Sequence, residues 1–313
     1  MRDARAPELV LGSVQLGLAY GAANRTGKPS RPEALHLVVR AANAGVTQFD
    51  TARAYGDAEE RLGEALAGNK SVRTITKLSP LTNLPEDASP HLARAAVDAS
   101  VAESLAALRK ERLDCLLLHR AEHMTSHGGA IWNHLIDYVQ DGTIASLGVS
   151  VQSTAEAMRA LDCRDVRHLQ LPYNLLDWRW RADGVIDRLC TRPDTTIHVR
   201  SVFLQGILAS DASVWPKIDG VDAAAILSLL TDFATDFGRE SIADLCLAYA
   251  RGQKWVDGVV VGLETEDQLD TNLRLFIRPP LTVGQCALLE DRIPHLPEKL
   301  LNPAMWPRQE KTS

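Results

Sequence analysis

Four side chains of complementary acid–base character stand out: Asp50 and Tyr55 in TQFDTARAYG, Lys77 in RTITKL and His119 in LDCLLLHR. Asp50, Lys77 and His119 each close a short apolar run, where a strand gives way to a loop, and Tyr55 lies in the loop after Asp50. A phenol gives or takes a proton, and a neighbouring ammonium lowers the cost of its anion, which in free tyrosine forms only near pH ~10. A carboxylate holds that ammonium charged and in place, and an imidazole donates a hydrogen bond to an oxygen. Brought to one mouth, the four make an acid–base device for a carbonyl and point to hydride chemistry on an aldehyde, ketone or alcohol. Singly, each has a plainer reading: a turn-capping Asp, a packed loop Tyr, a solvated Lys and a core His. The combination carries the weight.

The elements that must position them alternate along the chain. Apolar, mostly non-alternating runs at residues 10–15, 47–50, 73–77, 113–119, 144–150, 168–172, 195–202 and 256–262 read as strands covered on both faces. Helical patterns lie between them. In SRPEALHLVVRAANAG, Ser30 is the N-cap, Glu33 its capping-box partner and Gly45 the stop. HLARAAVDASVAESLAALRK, with a basic last turn, IWNHLIDYVQDG, STAEAMRALD, SIADLCLAYARG and TEDQLDTNLRLF continue the series. Eight strand–helix units without a composition break predict a single α/β domain over residues 1–313, a (β/α)8 TIM barrel with a parallel eight-stranded core. An open doubly wound sheet lacks its GxGxxG fingerprint here, and Gly27-Lys28 is followed by Pro29, not by the Ser or Thr of a P-loop. GLAYGAANRTGKPS is read as a long first βα loop over the mouth, residues 206–221 as a second long connection and candidate lid. The tail beyond Pro279 adds a helix, TVGQCALLEDRI, and a polar end, expected to pack on the barrel.

Bulk properties narrow the classes. The 313 residues carry 34 basic and 40 acidic side chains, a formal charge of −6, which gives no reason to expect nucleic acid or an anionic membrane as partner. No apolar run approaches the ~18 residues of a membrane span, and MRDARAPELV lacks an apolar signal core. Cys115, Cys163, Cys190, Cys246 and Cys286 are odd in number and scattered, as expected of reduced thiols in a cytoplasmic protein.

DTARAYGDAEERLGEAL resembles the signature of the aldo-keto reductase family, and the similarity continues through GVSVQ, QLPYNLLD, RSVFLQGIL and VVVGLETEDQLDTNL, nearly the whole chain. The resemblance implies a nicotinamide coenzyme across the barrel mouth, with Asp50, Tyr55, Lys77 and His119 as the catalytic set and Tyr55 as proton donor. It implies that Ser150, Gln170 and Asn174 hold and face the nicotinamide. Ser201, Leu204, Gln205 and Gly206 would follow the pyrophosphate; Gly262, Glu264, Gln268 and Asn272 would meet the adenosine end. Arg200 stands where many members place a stacking aromatic. GLETEDQ lacks the basic residues that often hold a 2′-phosphate, so NADP(H) leads NAD(H) only by family habit.

Other signals are weighed against these. His119, His123 and His127 recur at intervals of four, a metal-ligand spacing if helical, but Gly128-Gly129 and the end of the strand at His119 argue against a helix, and no metal is expected. The carboxylates of GDAEERLGEAL read as a solvated helix face. Trp178, Arg179 and Trp180 suggest either core packing or an aromatic-and-arginine wall for a sugar-like or anionic substrate, with Asn24, Arg25 and Lys28 adding polar contacts. The expected function is an NAD(P)(H)-dependent oxidoreductase acting on a small-molecule carbonyl, alcohol or lactol. A cofactor-sensing binding or regulatory subunit on the same fold is the alternative, and a metal-assisted hydrolase a third.

Overall fold

The computed structural model describes residues 6–307. Eight parallel strands close into a barrel in chain order: β1 Glu8–Gly12, β2 Gln48–Asp50, β3 Arg73–Lys77, β4 Cys115–Leu118, β5 Leu147–Ser150, β6 His168–Pro172, β7 Thr196–Arg200 and β8 Gly258–Gly262. The barrel closes where Gly12 of β1 stands beside Asp50 of β2 on one side and Gly262 of β8 on the other. Helices cover the outside, so both faces of each strand are buried. That accounts for the continuous apolar runs.

The predicted helix signals hold. Arg31–Asn43 starts on the Ser30/Glu33 capping box, and Gly45 takes φ +93° beyond its end. Ser153, Ser241 and Thr265 cap Thr154–Asp162, Ile242–Gly252 and Glu266–Phe276 with side-chain hydrogen bonds. Three local readings differ. β1 stops at Gly12, and residues 14–17 turn into a short helix that packs on the loop carrying Tyr55; a Cβ on Gly17 would lie 1.8 Å from the Tyr55 carbonyl oxygen. The Pro90–Leu108 helix ends before its basic residues, because Arg109 takes a left-handed conformation (φ +54°). Helices at Val185–Cys190 and Ala223–Asp236 add to those expected.

Beyond Gly206, two short 3₁₀ turns bury Ile207, Leu208 and Trp215, whose indole donates to the Ile207 carbonyl (2.9 Å). The C-terminal helix Val283–Arg292 packs on the barrel as expected: Cys286 and Leu289 are buried, and Glu290 pairs with Arg181 (2.7 Å) and accepts from Tyr249 (2.9 Å). Residues 1–5 of the opening segment and 308–313 of the polar end lie outside the described residues.

Inside the barrel, Val10, Ile75, Cys115, Leu117 and Val260 form a small apolar plug. Two buried histidines, His168 and His198, sit edge to face with centroids 4.2 Å apart, and His168 Nδ1 lies 3.3 Å from Cys115 Sγ. Gly258 makes room for them, since a Cβ there would fall 2.7 Å from the His198 ring. Burial pushes both imidazoles down, His198 to about 3 and His168 well below its ordinary value, with the Arg73 and Lys77 charges acting in the same direction.

Because the folded rings stay neutral while unfolded ones take up protons below pH ~6.5, their contribution to stability is complete above that pH and is lost as pH falls. From pH 6.5 to 5 the loss from His198 should be about 1.5 kcal/mol, with His168 acting in the same direction, together a fall in Tm of several degrees. His198→Leu should flatten that slope in thermal melts between pH 7 and 5; an unchanged slope would remove the histidine pair as its source.

Candidate active site

Asp50 and Lys77 meet because β2 and β3 are adjacent and each residue ends its strand. Lys77 Nζ donates to Asp50 Oδ1 (2.7 Å), Asp50 Oδ2 (2.9 Å) and the Thr51 carbonyl (3.0 Å), which satisfies all three ammonium hydrogens. Burial alone would discharge this lysine, but the Asp50 carboxylate outweighs it and holds the Lys77 pKa above its ordinary value. Across the barrel, Gln170 Nε2 donates to Asp50 Oδ2 (2.7 Å), and Ser150 Oγ lies 3.4 Å from Gln170 Oε1. A polar row thus runs from β5 to β3 beneath the mouth.

Tyr55 lies over this pair, with Lys77 Nζ 4.9 Å from its ring centroid, and its ring meets His119 edge-on at 5.9 Å. Burial, then the charges of Lys77 and Arg200, lower the His119 pKa to about 3, so the ring is a neutral donor and acceptor. Its Nδ1 is buried without a partner. The Tyr55 loop is fixed from below by a group the sequence reading placed in solvent. Glu59 is buried, accepts from Thr76 Oγ1 (2.5 Å) and pairs with Arg53. The motif GDAEERLGEAL therefore presents not a uniformly solvated face but one anchoring carboxylate. The helical period marked the face, but not the strand-borne hydroxyl waiting beneath it.

A cavity of about 910 Å³ opens above these groups and has Asp50, Tyr55 and His119 in its lining. Ser150, Arg200, Ser201, Gln205 and Gly206 border it, and so do Gly262, Glu264, Gln268 and Asn272. Gln170, Asn174, Leu204 and Lys77 stand outside the lining: Gln170 and Lys77 are engaged with Asp50, Leu204 is in the core, and Asn174 Oδ1 accepts from the Leu176 amide (3.0 Å). Arg200 lies against the end of β5, donating to the Val151 carbonyl (3.1 Å) and pairing with Gln152. Ser201, Leu204 and Gln205 take φ of +61°, +46° and +57°, a run of left-handed non-glycine residues that costs on the order of 1 kcal/mol each and is typical of ligand-holding loops.

Tyr20, Gln15 and Asp267 also line the cavity and escaped the sequence reading. Their signal was weak: Tyr20 sits in a loop without periodicity, Gln15 in a four-residue helix too short to show one, and Asp267 reads as an ordinary first-turn carboxylate. Asn24 is in the lining, where its side chain ties the first loop to Tyr20 and Gly27. Lys28 is committed to Asp57 (2.8 Å), and Arg25 is absent from the lining.

The proposed aromatic-and-arginine wall is not formed. Arg179 and Trp180 are buried and both donate to Asp177, while Trp178 stacks on His295 and donates to the Leu296 carbonyl (3.0 Å). All three serve packing, because the loop after β6 turns outward to receive the C-terminal tail. Among the described residues no cluster of three or more His, Cys, Asp or Glu side chains is arranged to hold a metal ion, and His127 Nδ1 is 3.3 Å from the Ala88 carbonyl.

The family model described as Aldo/keto reductase family matches residues 8–292. The 6-dehydroglucose reductase of Novosphingobium aromaticivorans is 35% identical over 130 residues, a stretch covering 38% of this chain and 41% of that protein's length. The holo form of aldo-keto reductase AKR11C1 from Bacillus halodurans superposes with a TM-score of 0.74 at 21% identity, over 95% of both chains. The thermostable aldo-keto reductase Tm1743, in complex with the inhibitor epalrestat, gives 0.67 at 21% identity, over 91% of this chain and 94% of that one. At such identities the structural likeness speaks for the fold.

Removing one partner of the buried ion pair leaves the other charge stranded. Asp50→Ala should therefore cost about 3–5 kcal/mol in urea unfolding. A loss below 1 kcal/mol would mean that the Lys77 ammonium is not held as the distances indicate.

Proposed function

Since this chain belongs to the aldo/keto reductase family, we propose that it is an oxidoreductase that moves hydride between NAD(P)(H) and an aldehyde or ketone, or in reverse an alcohol or lactol, with Tyr55 as proton donor. The observation that carries this reading is the Tyr55 ring over the hydrogen-bonded Lys77–Asp50 pair at the floor of a deep cavity.

The residues present fit a nicotinamide dinucleotide. The cavity volume suits a ligand of that size together with a small substrate. Gln15 Oε1 is buried without a partner beside Gly262, where a Cβ would lie 2.2 Å from that oxygen, so a side chain at the end of β8 would displace the Gln15 amide. Ser150 would hold the carboxamide, and the residues from Ser201 to Gly206 would follow the phosphates. When bound, the coenzyme supplies the hydride.

The chain's own groups manage the proton. Tyr55 Oη donates to the carbonyl oxygen as negative charge develops there. The Lys77 ammonium, kept charged by Asp50, offsets the charge left on the phenolate. Neutral His119 donates a hydrogen bond to the same oxygen and orients it. The polar lining residues Asn24, Glu122 and Gln152 suit a hydroxylated substrate, and the partial similarity to a 6-dehydroglucose reductase supports a sugar-like carbonyl. Five free cysteines fit a reducing, cytoplasmic setting. The family's habit tips the coenzyme towards NADP(H), an expectation that the outer end of the cavity qualifies below.

Tyr55→Phe should fold and bind coenzyme as the parent does, yet lose roughly 10²–10⁴ in kcat/KM on a carbonyl panel that includes 6-dehydroglucose. Retained turnover would dismiss Tyr55 as the donor. With His119 neutral down to about pH 3, the parent's kcat/KM should show no imidazole break between pH 5 and 7.5; a break near 6.5 would contradict its neutral role.

A further inference from the structure

We infer that the outer end of the cavity selects a dinucleotide with a free 2′-hydroxyl, NAD(H), against its 2′-phosphorylated counterpart. The inference rests on the coenzyme reading above and deepens it at the end of the cavity expected to meet the adenosine. From Gly262 the cavity continues along the start of the Glu266–Phe276 helix, where its lining includes Glu264, Asp267, Gln268, Thr271 and Asn272. The two charged members are both carboxylates.

The cavity lining contains two cations, Arg120 and Arg200, and neither belongs to this end. Arg200 is tied to Val151 and Gln152 at the end of β5, and Arg120 to Glu122 (3.1 Å) beyond β4. The cations near the adenosine end are committed to other carboxylates. Arg40 pairs with Glu266 (2.9 Å) and Asp270 (2.7 Å), His36 lies 2.8 Å from Glu266, and Arg274 and Arg278 both hold Glu240. Serving a phosphate would require one of them to abandon its partner.

The helix end offers little in compensation. Glu266 and Asp267 fill its first turn and already oppose the helix dipole, and Thr265 accepts from the Gln268 amide (3.3 Å). Glu264 is positioned for a different ligand. Its backbone amide donates to Gln268 Oε1 (2.7 Å), and its Oε2 accepts from Gln268 Nε2 (2.9 Å), so the glutamine holds the carboxylate in one orientation. A carboxylate so held accepts hydrogen bonds from a ribose hydroxyl and repels a group carrying nearly two negative charges. Asp267 adds to the repulsion.

Direct titration of the purified protein with NADH and with NADPH, followed by coenzyme fluorescence, tests this. NADH should bind at least ~10-fold more tightly at low salt, and added salt should narrow the gap by screening the repulsion. Glu264→Gln with Asp267→Asn should narrow it too, chiefly through tighter NADPH binding. Equal or tighter binding of NADPH by the parent protein overturns the inference while leaving the coenzyme reading intact. Failure of both nucleotides to bind overturns the coenzyme reading, and the inference with it. A double variant that weakens NADH and leaves NADPH unchanged shows a ribose contact without repulsion and overturns the selection against the phosphate.

Discussion

Everything at the mouth of this barrel depends on a fully buried ammonium, that of Lys77, keeping its charge. An isolated lysine in such a place would give up its proton. Here three acceptors sit within 3.0 Å, and one residue, Asp50, supplies two of them. The closed strand order makes this affordable in structural terms, because the ends of β2 and β3 are fixed side by side and no side-chain search is needed to bring the partners together. Gln170 then pins Asp50 from the opposite wall, and Glu59 pins the loop above through Thr76 and Arg53. The phenol is held by its supports more than by its own packing.

The cavity above is electrically divided. Its floor holds the Lys77–Asp50 pair, with Arg200 to one side. Its far end gathers Glu264 and Asp267. At the floor the Lys77 charge is balanced by Asp50, whereas the far end carries two carboxylates.

Much of this was legible in the sequence, for physical reasons that can be named. Strand runs stood out because both faces are covered, and helix starts because Ser30, Ser153 and Thr265 place oxygens where amides need them. The four acid–base residues were legible because strand ends converge in a closed barrel. What stayed hidden depended on partners distant in sequence. Glu59 looks solvated until Thr76 is placed under it. Trp178 looks like a substrate wall until His295 arrives from the tail to stack on it. The buried His168–His198 contact is invisible without the register that sets Gly258 beside His198. Periodicity reports exposure to an average neighbour, and these residues have particular ones.

The left-handed stretch after β7 is also sewn to the first loop. Ala23 donates to the Gln205 carbonyl (3.3 Å), the Gln205 amide reaches the Tyr20 hydroxyl (3.3 Å), and a Cβ on Gly206 would strike Ala23. Two segments separated by some 180 residues thus share one seam along the rim. Any widening of the rim there must part these contacts together, so the two segments move as one edge.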